Sequence, residues 1–152
     1  MKQQRDVFFK ETQRFTQWWL WLLLFGLLTL PFYGIVQQLI LKEPWGNNPM
    51  PDWGLILFAL GMVGFVYFFY YIQLKTWIHT EGITISFPPF FGKKHFKIKD
   101  IASAEVVTYR FTGYGLRYSL KYGTVYNVKG NKGLVIIMKN DKKFMIGTQH
   151  PA

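Results

Sequence analysis

The chain has 152 residues, enough for one ordinary domain, and half of them are hydrophobic whereas 17% are charged. It contains no cysteine, which excludes disulfides and thiolate metal sites. The formal net charge of +10 predicts an anionic neighbour, either nucleic acid or the acidic surface of a phospholipid bilayer, although a solvated lysine-rich face that aids solubility is the simpler alternative.

The N-terminal segment, residues 1–17, is short and basic. Its cations are Lys2, Arg5, Lys10 and Arg14. We interpret this segment as a cytoplasmic tail ahead of the first apolar run.

Two uncharged apolar runs predict transmembrane helices, at residues 18–41 and 53–74. A helix rises about 1.5 Å per residue and the hydrocarbon core is about 30 Å thick, so about twenty apolar residues suffice to cross it. The segment between the runs, residues 42–52, contains EPWGNNPMPD and predicts a short external loop. A cleaved signal peptide is the alternative for the first run, but the run is too long and no small-residue cleavage motif follows it.

The distribution of cations predicts the topology. Basic residues precede the first run and follow the second, so the positive-inside rule places both termini in the cytoplasm. Because the basic domain is joined directly to a membrane helix, acidic lipid headgroups are the partner that we expect, rather than nucleic acid.

Glycine and proline inside the runs predict close helix packing. Pro31 lacks an amide hydrogen, so we expect the first helix to kink there. Gly26 and Gly34 would let a neighbouring helix approach, and Gly61 and Gly64 would provide the matching notch. Ordinary glycine usage in membrane helices is the alternative. Neither run contains an ionisable side chain, which argues against a transporter or a pump.

Residues 75–152 change to short β-type runs separated by turn residues, which predicts a mainly β domain on the cytoplasmic side. The predicted strands cover residues 76–80, 83–87, 95–98, 106–110, 116–120, 124–128, 133–139 and 143–148. Strands this short and this evenly spaced favour a small antiparallel sandwich or a partly open barrel.

A family resemblance begins at TEGITISFPPFFGKKHFKIKDIASAEV, which resembles a bacterial pleckstrin-homology-like domain. The later strings GYGLRY, YNVKGNKGLVI and MIGTQHP are similar to strings of small bacterial membrane proteins that have two transmembrane helices ahead of this domain. The resemblance spans most of the chain. It implies two packed antiparallel sheets closed by a C-terminal helix, in a multi-pass protein of the bacterial inner membrane. It implies no reaction chemistry and no inositol-lipid specificity.

The helix that the resemblance implies does not follow the last predicted strand. Pro151 is a common first residue of a helix, so we expect the natural chain to continue beyond Ala152 with an amphipathic helix that covers the β domain. Without a cover we expect apolar side chains to be exposed near the closing strands. The candidates are Ile137, Phe144 and Ile146.

A basic edge is the main candidate site. Its members are Lys93, Lys94, Lys97 and Lys99, with Arg117 as a further candidate. Strand alternation predicts that Lys97 and Lys99 share a face with His95. Each cation near an acidic bilayer would contribute about 1 kcal/mol, so we predict that this edge binds lipid or a partner. A solvated edge strand protected by lysines is the alternative.

An aromatic-rich stretch follows the basic edge. It contains Tyr109, Tyr114, Tyr118, Tyr122 and Tyr126, with Arg110 and Arg117 between them. Single-stranded nucleic acid could stack on such a stretch, but cross-strand aromatic packing explains it with fewer assumptions, and we expect no nucleic-acid partner.

Catalytic and metal constellations are not recognisable in the sequence. His79, His95 and His150 are widely separated, and no carboxylate lies at ligand spacing from them. Paired carboxylates and nucleophile motifs are also missing, so we expect no enzyme activity, no cofactor and no metal. The sequence favours an accessory subunit whose helical hairpin packs on a larger membrane partner. The alternative is a membrane-surface sensor whose basic β domain binds anionic lipid or a peptide.

Overall fold

A computed structural model describes residues 7–110 and 114–150, and it contains two helices and nine strands within them. The helices are α1 (Trp18–Ile35), which continues as a π-helix (Val36–Ile40), and α2 (Asp52–Tyr71). The strands are β1 (Val7–Arg14), β2 (Gln73–His79), β3 (Gly82–Phe87), β4 (Phe91–Lys97), β5 (Ile101–Thr108), β6 (Gly115–Ser119), β7 (Gly123–Asn127), β8 (Lys132–Met138) and β9 (Lys143–Thr148). A 3₁₀ turn, Ile98–Asp100, precedes β5. The predicted combination of a helical pair and a mainly β domain is confirmed at this level.

The helical unit, Thr16–Tyr71, is a hairpin of two apolar helices. Both helices are long and apolar enough to cross a membrane, judged by length and composition. Their buried positions are Leu24, Pro31, Gly34, Leu55 and Ala59. Gly34 lies against the indole of Trp45 in the connecting loop, so closely that an added Cβ would lie 2.5 Å from a ring carbon.

The other glycines of the predicted packing notch lie elsewhere on the helices. Gly26, Gly61 and Gly64 have no heavy atom within 4 Å of an added Cβ. A helix turns once in 3.6 residues, so the face of α2 that buries Leu55 and Ala59 leaves positions 61 and 64 on its other side. The expected notch of Gly61 and Gly64 against α1 is therefore wrong for this hairpin.

The second helix ends earlier than the apolar run does. α2 ends at Tyr71 and β2 begins at Gln73, whereas the sequence predicts a span to residue 74. Ile72 and Leu74 are apolar because the β unit buries them, with 4% and 0% of their surface exposed. A helix that is apolar enough to cross a membrane and a strand that is buried in a protein core contain the same types of side chain, so the apolar run continues past the end of α2 into β2.

The β unit, residues 7–15 and 72–150, consists of two sheets. The first sheet has the order β1-β2-β3-β4 and is antiparallel throughout. The second has the order β5-β8-β9-β7-β6, in which only the pair β7–β9 is parallel. All eight predicted strands overlap strands of the structure.

The N-terminal strand β1 has no counterpart in the prediction, which treats residues 1–17 as a tail. β1 pairs along the full length of β2, from Arg14 opposite Gln73 to Val7 opposite His79. Its buried face contains Glu11 and Gln13, which are polar, so the apolar alternation that marks a strand is absent from it.

Hydrogen bonds to the end of β9 satisfy the Glu11 carboxylate and the Gln13 amide nitrogen, whereas the Gln13 Oε1 atom is buried without a hydrogen-bond partner among the described residues. The Glu11 carboxylate accepts a bond from the Thr148 hydroxyl (2.7 Å) and another from the backbone N–H of Gln149 (2.8 Å). The Gln13 amide nitrogen donates to the carbonyl of Gly147. These bonds tie β1 to the second sheet as well as to β2.

The core lies between the sheets and is rich in aromatic side chains. Phe96 of the first sheet contacts Phe144 of the second, with ring centroids 4.9 Å apart, and Phe91 contacts Tyr126 at 5.3 Å. Ile146 is only 2% exposed, so the expectation that it would be uncovered is wrong. Ile137 packs against a buried cluster on the other face of the second sheet. The covering helix that we expected beyond residue 152 falls outside the described residues.

Candidate functional site

The first sheet presents two chemically different faces, because successive side chains of a strand point in opposite directions. The register of the four strands places Lys10, Trp77, Thr84 and His95 in one cross-strand row, and Thr12, Lys75, Ser86 and Lys93 in another. These rows form the face directed away from the second sheet. The opposite face contains Glu11, Ile85 and Phe96, which are buried.

The outward face is cationic, and we call it the cationic face. Its charged members are Lys10, Arg14, Lys75, Lys93 and Lys97. The single carboxylate in these four described strands is Glu11, and it is buried on the opposite face. Lys10, Arg14, Lys93 and Lys97 are exposed and Lys75 is half-buried. Five cations therefore share one surface without a carboxylate from their own sheet.

Such a surface is electrostatically unfavourable in isolation, because like charges on one sheet face repel one another. Uncharged side chains separate the cations within each row, as Ser86 does between Lys75 and Lys93. Adjacent strands lie about 4.8 Å apart, so Lys75 and Lys93 originate about 10 Å from each other. A planar array of separated cations matches an extended anionic surface better than one compact anion.

The structure divides the predicted basic edge among three environments. Lys93 and Lys97 lie on the cationic face with His95, whose Nδ1 is 2.9 Å from the Thr84 hydroxyl. Lys99 lies in the 3₁₀ turn instead of the strand, so the predicted alternation of Lys97 and Lys99 is wrong. β4 ends at Lys97, and the turn directs the chain into the second sheet.

Lys94 points to the opposite face, toward the second sheet. Its Nζ donates to the Tyr126 hydroxyl at 3.2 Å and lies 4.3 Å from the ring centroid of Phe144. The rings of Phe96 and Tyr126 are 5.4 and 5.8 Å from the same nitrogen. An ammonium group over an aromatic face contributes about 0.5–2 kcal/mol, depending on its desolvation. Lys94 thus belongs to the interior edge of the sandwich and not to the cationic face.

Arg117 lies on β6 of the second sheet and is half-buried. Burial raises the pKa of the nearby Tyr109 hydroxyl to about 12, while the charge of Arg117 lowers that pKa and Tyr114 raises it. Tyr109 also packs near Tyr122, with ring centroids 6.5 Å apart. Aromatic packing therefore explains this pair of tyrosines, and Arg117 is not part of the cationic face.

The sequence prediction of the basic edge does not include three residues of the cationic face, namely Lys10, Arg14 and Lys75. A prediction that treats residues 1–17 as a tail interprets Lys10 and Arg14 only as topology signals. The sequence contains one signal of this strand: Lys10, Thr12 and Arg14 alternate with Phe9, Glu11 and Gln13. This alternation indicates a strand only if the polar residues Glu11 and Gln13 are assigned to the buried face.

Among the described residues, no group of three or more His, Asp or Glu side chains is arranged to hold a metal ion. Comparison with protein families, with curated proteins and with solved structures finds no match to this chain.

Proposed function

We propose that this protein is a non-enzymatic, membrane-anchored module whose helical hairpin spans the bacterial inner membrane and whose β unit binds anionic phospholipid headgroups through the cationic face. The observation that supports this proposal best is the set of five cations on a sheet face that has no carboxylate of its own. Anionic lipid is the extended anionic surface that a membrane-anchored domain meets.

Membrane insertion of the hairpin is supported by the surface of its helices. Only 17% of the apolar window of the first helix and 11% of that of the second are buried, whereas a core helix of a soluble protein is mostly buried. Trp18 and Trp53 are 75% and 71% exposed and lie at helix starts, the position in which tryptophan anchors a helix at a bilayer interface.

A cytoplasmic location of both termini is supported by the pairing of β1 with β2. Arg14, four residues before α1, lies opposite Gln73, two residues after α2. The two ends of the hairpin are therefore side by side, as two spans that begin and end on one side of a bilayer require. The basic residues near these ends favour the cytoplasmic side.

The fold of the β unit is proposed to be a variant of the pleckstrin-homology-like architecture. An antiparallel four-stranded sheet that packs against a second sheet supports this assignment. Two features differ from the arrangement that the sequence resemblance implies: β1 enters the sheet from before the helices, and β7 pairs in parallel with β9.

The expected affinity is moderate and strongly dependent on salt. At about 1 kcal/mol per cation, the five cations would contribute at most about 5 kcal/mol at an acidic surface. Screening shortens the range of this attraction from about 10 Å at 0.1 M salt to about 3 Å at 1 M. The hairpin holds the domain near the lipid, so a weak interaction suffices.

A fluorescent reporter on the cationic face would test the proposal. The chain has no cysteine, so Thr12→Cys, at an exposed position of β1, accepts one environment-sensitive dye. The full chain is reconstituted into nanodiscs of phosphatidylcholine alone or mixed with phosphatidylglycerol. We expect higher, blue-shifted emission only in the anionic discs, and its loss at about 1 M salt.

Charge-matched variants identify the surface. The triple change of Lys10, Lys93 and Lys97 to Gln should abolish the response. The same loss of charge at Lys121, Lys132 and Lys139, which lie outside the first sheet, should preserve it. Equal losses in both variants, or equal emission in neutral and anionic discs, would refute binding through the cationic face.

An accessory subunit of a larger membrane protein is the second candidate function. The open surfaces at Gly26, Gly61 and Gly64 favour it, because glycine allows another helix to approach closely. Changing Gly61 and Gly64 to Leu should then release proteins that co-purify with the chain in mild detergent, whereas Leu at the exposed Val63 position should not. A chain that purifies alone argues against this role.

A further inference from the structure

A second cationic site lies at the interior edge of the sandwich, between β4 and the ends of β6, β7 and β9. It is a cleft of about 600 Å³, which we call the Lys94 cleft. Its lining residues are Lys94, Tyr118, Leu120, Gly123, Thr124, Asp141, Lys142, Lys143 and Phe144. Binding sites for small molecules commonly have volumes of about 300–1,000 Å³, so the cleft can hold a compact ligand.

Lys94 occupies a position that the core would be expected to fill with an apolar side chain. It lies opposite Ile85 in the sheet register and two residues before Phe96, both of which are buried. Its ammonium group has three donors, and one of them is used by the Tyr126 hydroxyl. Among the described residues no acceptor is found for the other two. Because Lys94 lines the cleft, these two donors are available to a ligand that enters it.

The charges around the cleft favour an anion. Three lysines and one carboxylate line it, so three positive charges less one negative charge leave a net charge of +2. The turn before β9 contributes Asp141 and Lys142 to this lining. In that turn Asp141 has a positive φ of 62°, and the side-chain Oδ1 of Asn140 accepts a hydrogen bond from the backbone N–H of Lys142 at 3.3 Å. The hydroxyls of Tyr118 and Thr124 add neutral hydrogen-bonding groups.

We propose that the Lys94 cleft binds a phosphate monoester, with Lys94 and Lys142 as its principal ligands. A phosphate monoester at neutral pH has a charge close to −2, which matches the net charge of the cleft, and lysine binds phosphate as a point charge. The aromatic ring of Phe144 stabilises the Lys94 ammonium in the absence of the ligand. The site is distinct from the cationic face, because Lys94 and that face lie on opposite sides of the first sheet.

Titration of the purified full chain with glycerol 3-phosphate in phosphate-free buffer, measured by calorimetry, tests the site. We expect saturable binding with one ligand per chain. Lys94→Met retains most of the buried stem and should weaken binding at least about tenfold, a loss of about 1.4 kcal/mol. Lys132→Met is the control, because Lys132 is exposed on β8 and belongs neither to the lining of the cleft nor to the cationic face, and it should leave the affinity unchanged.

A second variant tests the site even if Lys94→Met fails to fold. Lys142 is exposed in the turn before β9, so Lys142→Gln should fold normally and also weaken binding severalfold. The same titration in nanodiscs that contain phosphatidic acid identifies the source of the phosphate. Competition by phosphatidic acid assigns the site to a lipid headgroup, and its absence assigns the site to a soluble phosphate ester.

Failure to bind either form of phosphate would overturn the proposal. Binding that Lys94→Met leaves unchanged would also overturn it, and would make Lys94 a structural cap on the aromatic cluster. The Gln variants of Lys10, Lys93 and Lys97 do not change the lining of the Lys94 cleft, so the two binding surfaces can fail or succeed independently.

Discussion

The hydrogen bonds of Glu11 give the sharpest test of whether the segment before the first helix belongs to the β unit. Glu11 is 6% exposed, and its two oxygens accept bonds of 2.7 and 2.8 Å from Thr148 and Gln149. Glu11→Ala leaves both donors without that acceptor. Each unsatisfied buried donor costs about 1–3 kcal/mol, but Gln149 is exposed and water can solvate its N–H. Removal of a buried carboxylate also relieves a desolvation penalty.

We therefore expect Glu11→Ala to lower the free energy of unfolding by about 2 kcal/mol. With a urea dependence of about 2 kcal/mol per molar, the midpoint should fall by about 1 M. Pulse proteolysis of the reconstituted full chain, with cleavage sites monitored in the second sheet, measures this midpoint. Glu11→Gln keeps one acceptor oxygen and the side-chain shape, so it should show a smaller loss.

Thr12→Ala is the control, because Thr12 is the next residue of β1 and its side chain is exposed. Its effect should stay within about 0.5 kcal/mol. If Glu11→Ala and Thr12→Ala have the same midpoint as the unmodified chain, the end of β9 does not depend on β1, and the residues before α1 are not an integral part of the fold.

Three further predictions concern a turn, an ionisable core residue and the topology. Gly123→Ala should lower the free energy of unfolding by about 2–4 kcal/mol, because the φ of Gly123 is +70° and an added Cβ would overlap a backbone carbonyl of β9. Gly92 has open space around it, so Gly92→Ala should leave the free energy of unfolding nearly unchanged in the same proteolysis assay. Burial keeps the Tyr109 hydroxyl neutral, so its contribution to the free energy of unfolding is complete below pH 10.0 and is lost as the pH rises to about 12. The urea midpoint of Tyr109→Phe should lack this part of the decline at alkaline pH. A midpoint that falls with pH as steeply in Tyr109→Phe as in the unmodified chain would contradict the prediction. A cysteine at Asn47 should react with an impermeant maleimide added to spheroplasts and one at Asn140 should not, and the reverse pattern would overturn the proposed topology.

The local elements of this protein are well determined by its sequence. The apolar runs around Leu24 and Leu55 predict both helices, because a continuous apolar stretch of about twenty residues has few alternatives to a helix that spans or is buried. The strands after Lys75 are predicted within a few residues for a similar reason: β-branched and aromatic runs alternate with turn residues such as Glu81 and Gly82.

Whether residues 7–14 form a strand of the β unit depends on the tertiary structure. Glu11 and Gln13 are stable in the interior only because Thr148, Gln149 and Gly147 supply hydrogen-bond partners more than 130 residues away in the chain. Sequence patterns show the polarity of a side chain but not its distant partner. The segment consequently resembles a solvated tail until the end of β9 is in place.

The candidate sites depend on tertiary structure for a related reason. The sequence shows that Lys93, Lys94 and Lys97 are close together, but only the register of β4 on β3 assigns Lys93 and Lys97 to one face and Lys94 to the other. A shift of one residue would exchange these faces. The pairing of β1 with β2 also brings Lys10 beside Trp77, although the whole helical hairpin lies between these two residues in the sequence. Composition determined that this protein is cationic, whereas strand register decided which cations share a surface, because the direction of a side chain is set by the hydrogen bonds of its strand to the neighbouring strand.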